Sequence, residues 1–218
     1  MSDDPDIRPS TEIRDHLRRE LNLALRRPGM YGGEVALRIL FDHLAHVERR
    51  EDRWSAGRQE WEARGAFTST GVTGAFTSLI PGHHEDGVAS VYAEFAHAQG
   101  WLQADHTLTL HEYRALRAMI SAWASCDRTL TEVTTVFGPP SIRFGGNNPR
   151  YGKALGYLTG APEEPMIAFH LWNGPDPAAE QHWPPAYADP VLLAIRVCEG
   201  DFGQSFTFTP EGRRRRSA

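Results

Sequence analysis

Few groups in this sequence could carry chemistry. His43 and His46 stand three residues apart, so on a helix they share a face and could meet one metal ion through neutral imidazole nitrogens. His83, His84, Glu85 and Asp86 form a dense run of potential ligands. Adjacent residues cannot all converge on one ion without a bent loop, so this run is expected to be a helix start with Asp86 as its N-cap. Cys126 and Cys198 are far apart and have no neighbour that marks a nucleophile, and both are expected to be buried and reduced. The run GGNNPRYG at 145–152 could offer backbone amides to a phosphate, but no helix N-terminus follows it, and a hairpin connection is the expected role. Neither a nucleophile elbow nor a P-loop occurs. No catalytic residue, metal or cofactor is assigned on this basis.

The elements that position these groups fall into two halves. Ile13, Leu17, Leu21 and Leu25 recur at helical spacing until Pro28 and Gly29 break the period. A turn, RRPGMYGG, follows, with Met30 and Tyr31 expected to pack inward. A second amphipathic helix begins near Glu34, carries Leu37, Phe41 and Leu44, and could run on to Trp61 unless Ser55, Ala56 and Gly57 interrupt it. The pentapeptide GAFTS occurs twice between Gly65 and Ser78; two copies do not make a solenoid, and a Gly/Thr-rich loop anchored by Phe67 and Phe76 is expected. A third helix follows Asp86. Thr109 with Glu112 opens a fourth, and Thr129 with Glu132 opens a short one, both by the capping-box pattern. That last helix should bury Leu130, Val133, Val136 and Phe137 and end at a left-handed Gly138 before Pro139 and Pro140.

After this hinge the pattern becomes strand-like at 141–145, 153–159, 166–172, 190–198 and 204–209, with connections too short for crossover helices. The expected fold class is α+β: about four helices, then an antiparallel meander of about five strands with one short helix packed on it. The boundaries are an arm at 1–9, a helical region at 10–126, a sheet region at 127–210 and a basic tail at 211–218. Val191, Leu193, Ile195 and Val197 should face the core together with Ile167, Phe169 and Leu171. The opposite face would then be open and carry His170, Trp172 and Arg196, the side chains expected to bind a partner.

The net charge is −5, and the four arginines at 213–216 sit in the tail, so the rest of the chain is more acidic still. That argues against a general nucleic-acid surface and favours a basic protein partner. No apolar run reaches the length of a membrane span, and the start MSDDPD lacks the basic and apolar regions of a signal peptide, so the expected location is the cytoplasm.

Two local resemblances bear on function. RRPGMYGG, at 26–33, resembles the RPGMYIG junction of gyrase B and related GHKL ATPases, which would imply nucleotide hydrolysis; the acidic and asparagine positions and the Asp-x-Gly-x-Gly box of those enzymes do not follow in order here. FDHLAHVERREDRW, at 41–54, resembles the second helix of DinB-like bundles, in which His43 would be one of three histidines on a metal. That resemblance implies a metal-dependent enzyme, with His46 and either His111 or His97 as the further ligands. The leading expectation is a non-catalytic binding protein, most concretely an immunity-type protein neutralising a basic toxin, with the metal enzyme as the alternative.

Overall fold

A computed structural model describes residues 10–80, 85–174 and 185–216. Its helices are α1 (Ser10–Arg26), α2 (Gly33–Val47), α3 (Glu51–Ala63), α4 (Val72–Thr77), α5 (Glu85–Ala98), α6 (Leu110–Trp123), α7 (Leu130–Phe137) and α8 (Pro210–Arg216), with a 3-10 turn at Pro28–Met30. The strands are β1 (Ile142–Phe144), β2 (Lys153–Tyr157), β3 (Ile167–Trp172), β4 (Val191–Val197) and β5 (Phe206–Phe208), and they form one antiparallel sheet in sequence order. This is the α+β meander the sequence predicts, with six α-helices rather than four ahead of the hinge among the described residues. The arm at 1–9, His83 and His84 lie outside the described residues.

Helix boundaries follow from local causes. Arg49, at φ 54°, turns the chain left-handed and separates α2 from α3, so the break comes before the Ser-Ala-Gly run rather than within it. Gly57 instead lies inside α3, where a Cβ would come within 2.4 Å of the Phe95 ring. Both expected capping boxes form, at Thr109 with Glu112 and at Thr129 with Glu132. Asp86 lies within the first turn of α5 rather than capping it. The second GAFTS copy is helical: Thr68 and Gly71 close a tight turn, and α4 follows, with Phe76 buried.

The sheet has no open face. One side, bearing Ile142, Phe144, Ala154, Leu158 and Ala194, packs into the same core as α1, α2, α4 and α5. The other, bearing Leu155, Tyr157, Ile167, Phe169 and Ile195, packs under α6 and α7. Small residues explain how α5 approaches the first side. Ala154, Gly156, Ala168 and Ala194 line up across β2, β3 and β4, and Gly87 and Ser90 lie buried on the helix. A register shift between His170 and Leu171 breaks the alternation on β4, so Leu193 and Ile195 enter different cores rather than one shared face.

On α7, Val133 is fully buried, but Val136 is 48% exposed, a correction to its expected inward placement. The basic tail is also not a free end. From Arg213 to Arg216 it is the last turn of α8, where Arg214 pairs with Asp127 and Glu211, and Arg215 Nε donates to Glu211 at 2.6 Å. Cys198 is buried as expected, whereas Cys126 is exposed.

Candidate functional site

The expected partner-binding trio is largely covered. Arg196 is 1% exposed and His170 5% exposed, because α4 and α5 lie over this side of the sheet. Arg196 meets Glu94 at 3.3 Å and donates to the Ser90 hydroxyl at 3.2 Å, both on α5. His170 stands between the rings of Phe76 and Phe206, at centroid separations of 5.5 and 5.6 Å. Burial, reinforced by the Arg196 charge, pushes the imidazole down to about 3, so it is neutral at any ordinary pH, and its Nε2 has no hydrogen-bond partner. Trp172, half-buried at the end of β3, carries the Arg215 guanidinium 3.6 Å from its ring centroid. Arg196, expected to face solvent, is instead a buried strand residue paired with a helix more than 100 positions earlier.

The expected metal histidines are not assembled. His43 and His46 are exposed on α2, and His46 Nδ1 lies 2.9 Å from Glu51. His111 is exposed at the start of α6, which covers the opposite side of the sheet. Among the described residues no group of three His, Cys, Asp or Glu side chains is placed to hold an ion.

The structure does form a cleft of about 600 Å³ where four segments meet: the turn at 27–30, the first turn of α5, the β1–β2 connection with the start of β2, and the end of β3. Phe76, His170 and Trp172 give it an aromatic floor and wall, and Glu85 and Asp86 stand on one side of it. Two glycines fix those carboxyls. A Cβ at residue 29 would lie 2.8 Å from Glu85 Oε2, and one at residue 145 would lie 2.7 Å from Asp86 Oδ2, so the absence of side chains there is what lets both carboxyls lie against backbone. Burial, helped by the Glu85 charge and opposed by Lys153, raises the Asp86 carboxyl to about 7. Lys153 is itself buried at the start of β2, donates to the Asn148 carbonyl at 2.8 Å, and is held below the usual lysine range, first by desolvation and then by Arg143.

A second hollow of about 610 Å³ lies between α3, α5 and the loop at 162–166. Its partly buried carboxylate, Glu94, is already met by Arg196 at 3.3 Å and Arg64 at 3.7 Å. The first cleft keeps His170 Nε2 without a hydrogen-bond partner and the Asp86 carboxyl without an ion pair among the described residues, and is the better candidate.

The turn whose sequence resembles a nucleotide-site junction lines this cleft. Pro28 is buried, but Met30 is 74% and Tyr31 38% exposed, opposite to their expected inward packing. Sequence reading missed the approach of this turn to Glu85 and of the β1–β2 connection to Asp86; the Gly-rich turn and the Gly145-Gly146 pair were the signals, as points of close backbone approach. Among the described residues no helix is long and apolar enough to cross a membrane. No protein-family model, curated protein or solved structure matches this chain.

Proposed function

We propose that this chain is a binding protein for a basic protein partner, most concretely an immunity-type protein that neutralises a toxin in the cytoplasm. The observation that carries the reading is a set of exposed apolar side chains, one at the end of the cleft's 3-10 turn and two on one face of α2. Met30 ends the 3-10 turn at 74% exposure, and Val35 and Ile39, one turn apart on α2, are 65% and 50% exposed. Isolated exposed aliphatic residues are ordinary, but several large ones in succession on one face mark a contact surface. The acidic net charge of the chain supports a partner of opposite sign. Of the three sheet residues first expected to bind, His170 and Trp172 line the cleft, while Arg196 serves the core.

The test is binding to the product of the adjacent gene, measured by titration calorimetry and size exclusion. Val35→Asp and Ile39→Asp should each weaken that complex by about tenfold or more while leaving the melting temperature unchanged. Unaltered affinity in both would move the interface elsewhere, and an acidic partner would overturn the charge argument.

A further inference from the structure

We infer that the cleft is a receptor for an organic cation bearing N–H donors, an alkylammonium or guanidinium group, held between the Asp86 carboxyl and the aromatic floor. The inference deepens the reading above, since such a group is what a basic partner would present, but it rests on separate observations.

Three features converge on that chemistry. The first is an unmet ring nitrogen: His170 is 5% exposed, lines the cleft, and leaves Nε2 without a partner. A neutral imidazole has one N–H and one acceptor nitrogen, and an unpaired buried polar atom is costly enough to require an explanation. The second is the carboxyl pair, pinned in place by the close approach of Gly29 and Gly145. The third is the aromatic wall, where Trp172 already takes one organic cation, the Arg215 guanidinium, 3.6 Å from its ring centroid.

The competing charges decide the sign of the ligand. The free amides at the start of α5, Arg27 at the rim and Lys153 on β2 would all favour an anion. Lys153, however, is engaged by the Asn148 carbonyl at 2.8 Å, and the Arg215 guanidinium on Trp172 is engaged by Glu211, whereas neither Glu85 nor Asp86 has an ion pair among the described residues, so it is carboxyls that remain to be met. Burial, and then Glu85, raise the Asp86 carboxyl to about 7 against the pull of Lys153. The groups bearing on Asp86 are Glu85 on its own helix and Lys153 from β2, with Arg27 from the turn and the neutral His170 from β3 around the same cleft. An entering cation would supply a counter-charge to Asp86, and its N–H groups would donate to that carboxylate.

The experiment titrates the full chain with agmatine and with n-butylammonium, followed by amide NMR and calorimetry, with tetramethylammonium and butyrate as comparisons. Both N–H cations should bind saturably, shifting the amides of Gly29, Gly87, Gly145 and Gly174. Affinity should be about tenfold weaker near pH 5.5 than near pH 8, as Asp86 becomes protonated. Asp86→Asn should weaken binding by about tenfold or more, and its melting temperature reports whether it is folded. The inference is overturned by no saturable binding up to about 50 mM, by equal binding of tetramethylammonium or butyrate, or by a folded Asp86→Asn variant that binds as well as the parent. Failure of the partner reading looks different. Partner affinity that survives Val35→Asp and Ile39→Asp would sink that reading while leaving agmatine binding intact, and agmatine that fails to bind would leave the partner interface standing.

Discussion

The Tyr92 hydroxyl donates to Glu34 Oε1 at 2.9 Å, inside a core where the Tyr92 residue as a whole is fully buried. The same carboxylate accepts the backbone amides of Val72 and Thr73, each at 2.8 Å, and the Thr73 hydroxyl at 2.6 Å. One side chain at the start of α2 thus caps α4 and satisfies a buried phenol on α5, which ties the GAFTS segment to the helical core. Burial, and then the Glu34 charge, push the Tyr92 hydroxyl upward, so it stays a donor at any ordinary pH.

Glu34→Ala is expected to cost about 2–4 kcal/mol, since it removes an N-cap and strands a buried hydroxyl, while Tyr92→Phe should cost about 1 kcal/mol. Because both act through one carboxylate, the double variant should lose less than the sum. Urea unfolding of the four proteins measures this; strict additivity would show that the shared hydrogen bond contributes nothing.

Arg196 and Glu94 set the second prediction. Arg196 is 1% exposed, and burial raises the Glu94 carboxyl against the pull of Arg196 and then Arg64. Arg196→Ala leaves that carboxyl without its nearest cation and should destabilise by about 3–5 kcal/mol, whereas Arg196→Met with Glu94→Leu should recover much of the loss by replacing a buried pair with apolar volume. Chemical denaturation of the single and double variants checks both; a double variant less stable than the single one would mean the pair itself is strongly net stabilising.

How far the fold was legible depends on whether its causes are local. The two capping boxes and the five strands are local, and Thr109, Glu112, Thr129 and Glu132 could be read directly. The covered sheet was not, because the partners that neutralise Arg196 sit on α5, and only the row of Ala154, Gly156, Ala168 and Ala194 hinted that a helix approaches there. The bulge that separates Leu193 from Ile195 leaves no mark in a pattern of consecutive apolar residues. Asp86 was noticed for its company with His83 and His84, yet what gives it unusual chemistry is the approach of Gly145, 59 positions away.

The end of α7 gives a third prediction. Gly138 has φ 75° and ψ −170°, a region open almost only to glycine rather than the ordinary left-handed cap, and its carbonyl accepts from the Tyr157 hydroxyl at 3.0 Å. Gly138→Ala should therefore cost about 1–3 kcal/mol through backbone strain alone, since no atom lies near its missing Cβ. Val133→Ala, at a fully buried position, should cost about 2 kcal/mol through the cavity it leaves. Thermal melts decide it, and negligible shifts in both variants would show that α7 is not a packed junction.

The last prediction concerns pH. The Asp86 carboxyl lies near 7 in the folded chain, raised by burial first and by Glu85 second, against an ordinary value of 3.8. The folded state therefore binds more protons than the unfolded one between these two values, and linkage makes Asp86's contribution most favourable below about pH 4. That contribution is lost progressively as pH rises toward 7, and above it the folded protein carries the full cost of a buried, poorly compensated charge. Asp86→Asn removes the titration while keeping the shape, so it should leave stability nearly unchanged near pH 4 and raise it by about 1–3 kcal/mol near pH 8. Parallel urea titrations of the parent and variant across this range provide the measurement. A variant that is equally destabilised at both ends would show that Asp86 is held charged by partners strong enough to offset its burial.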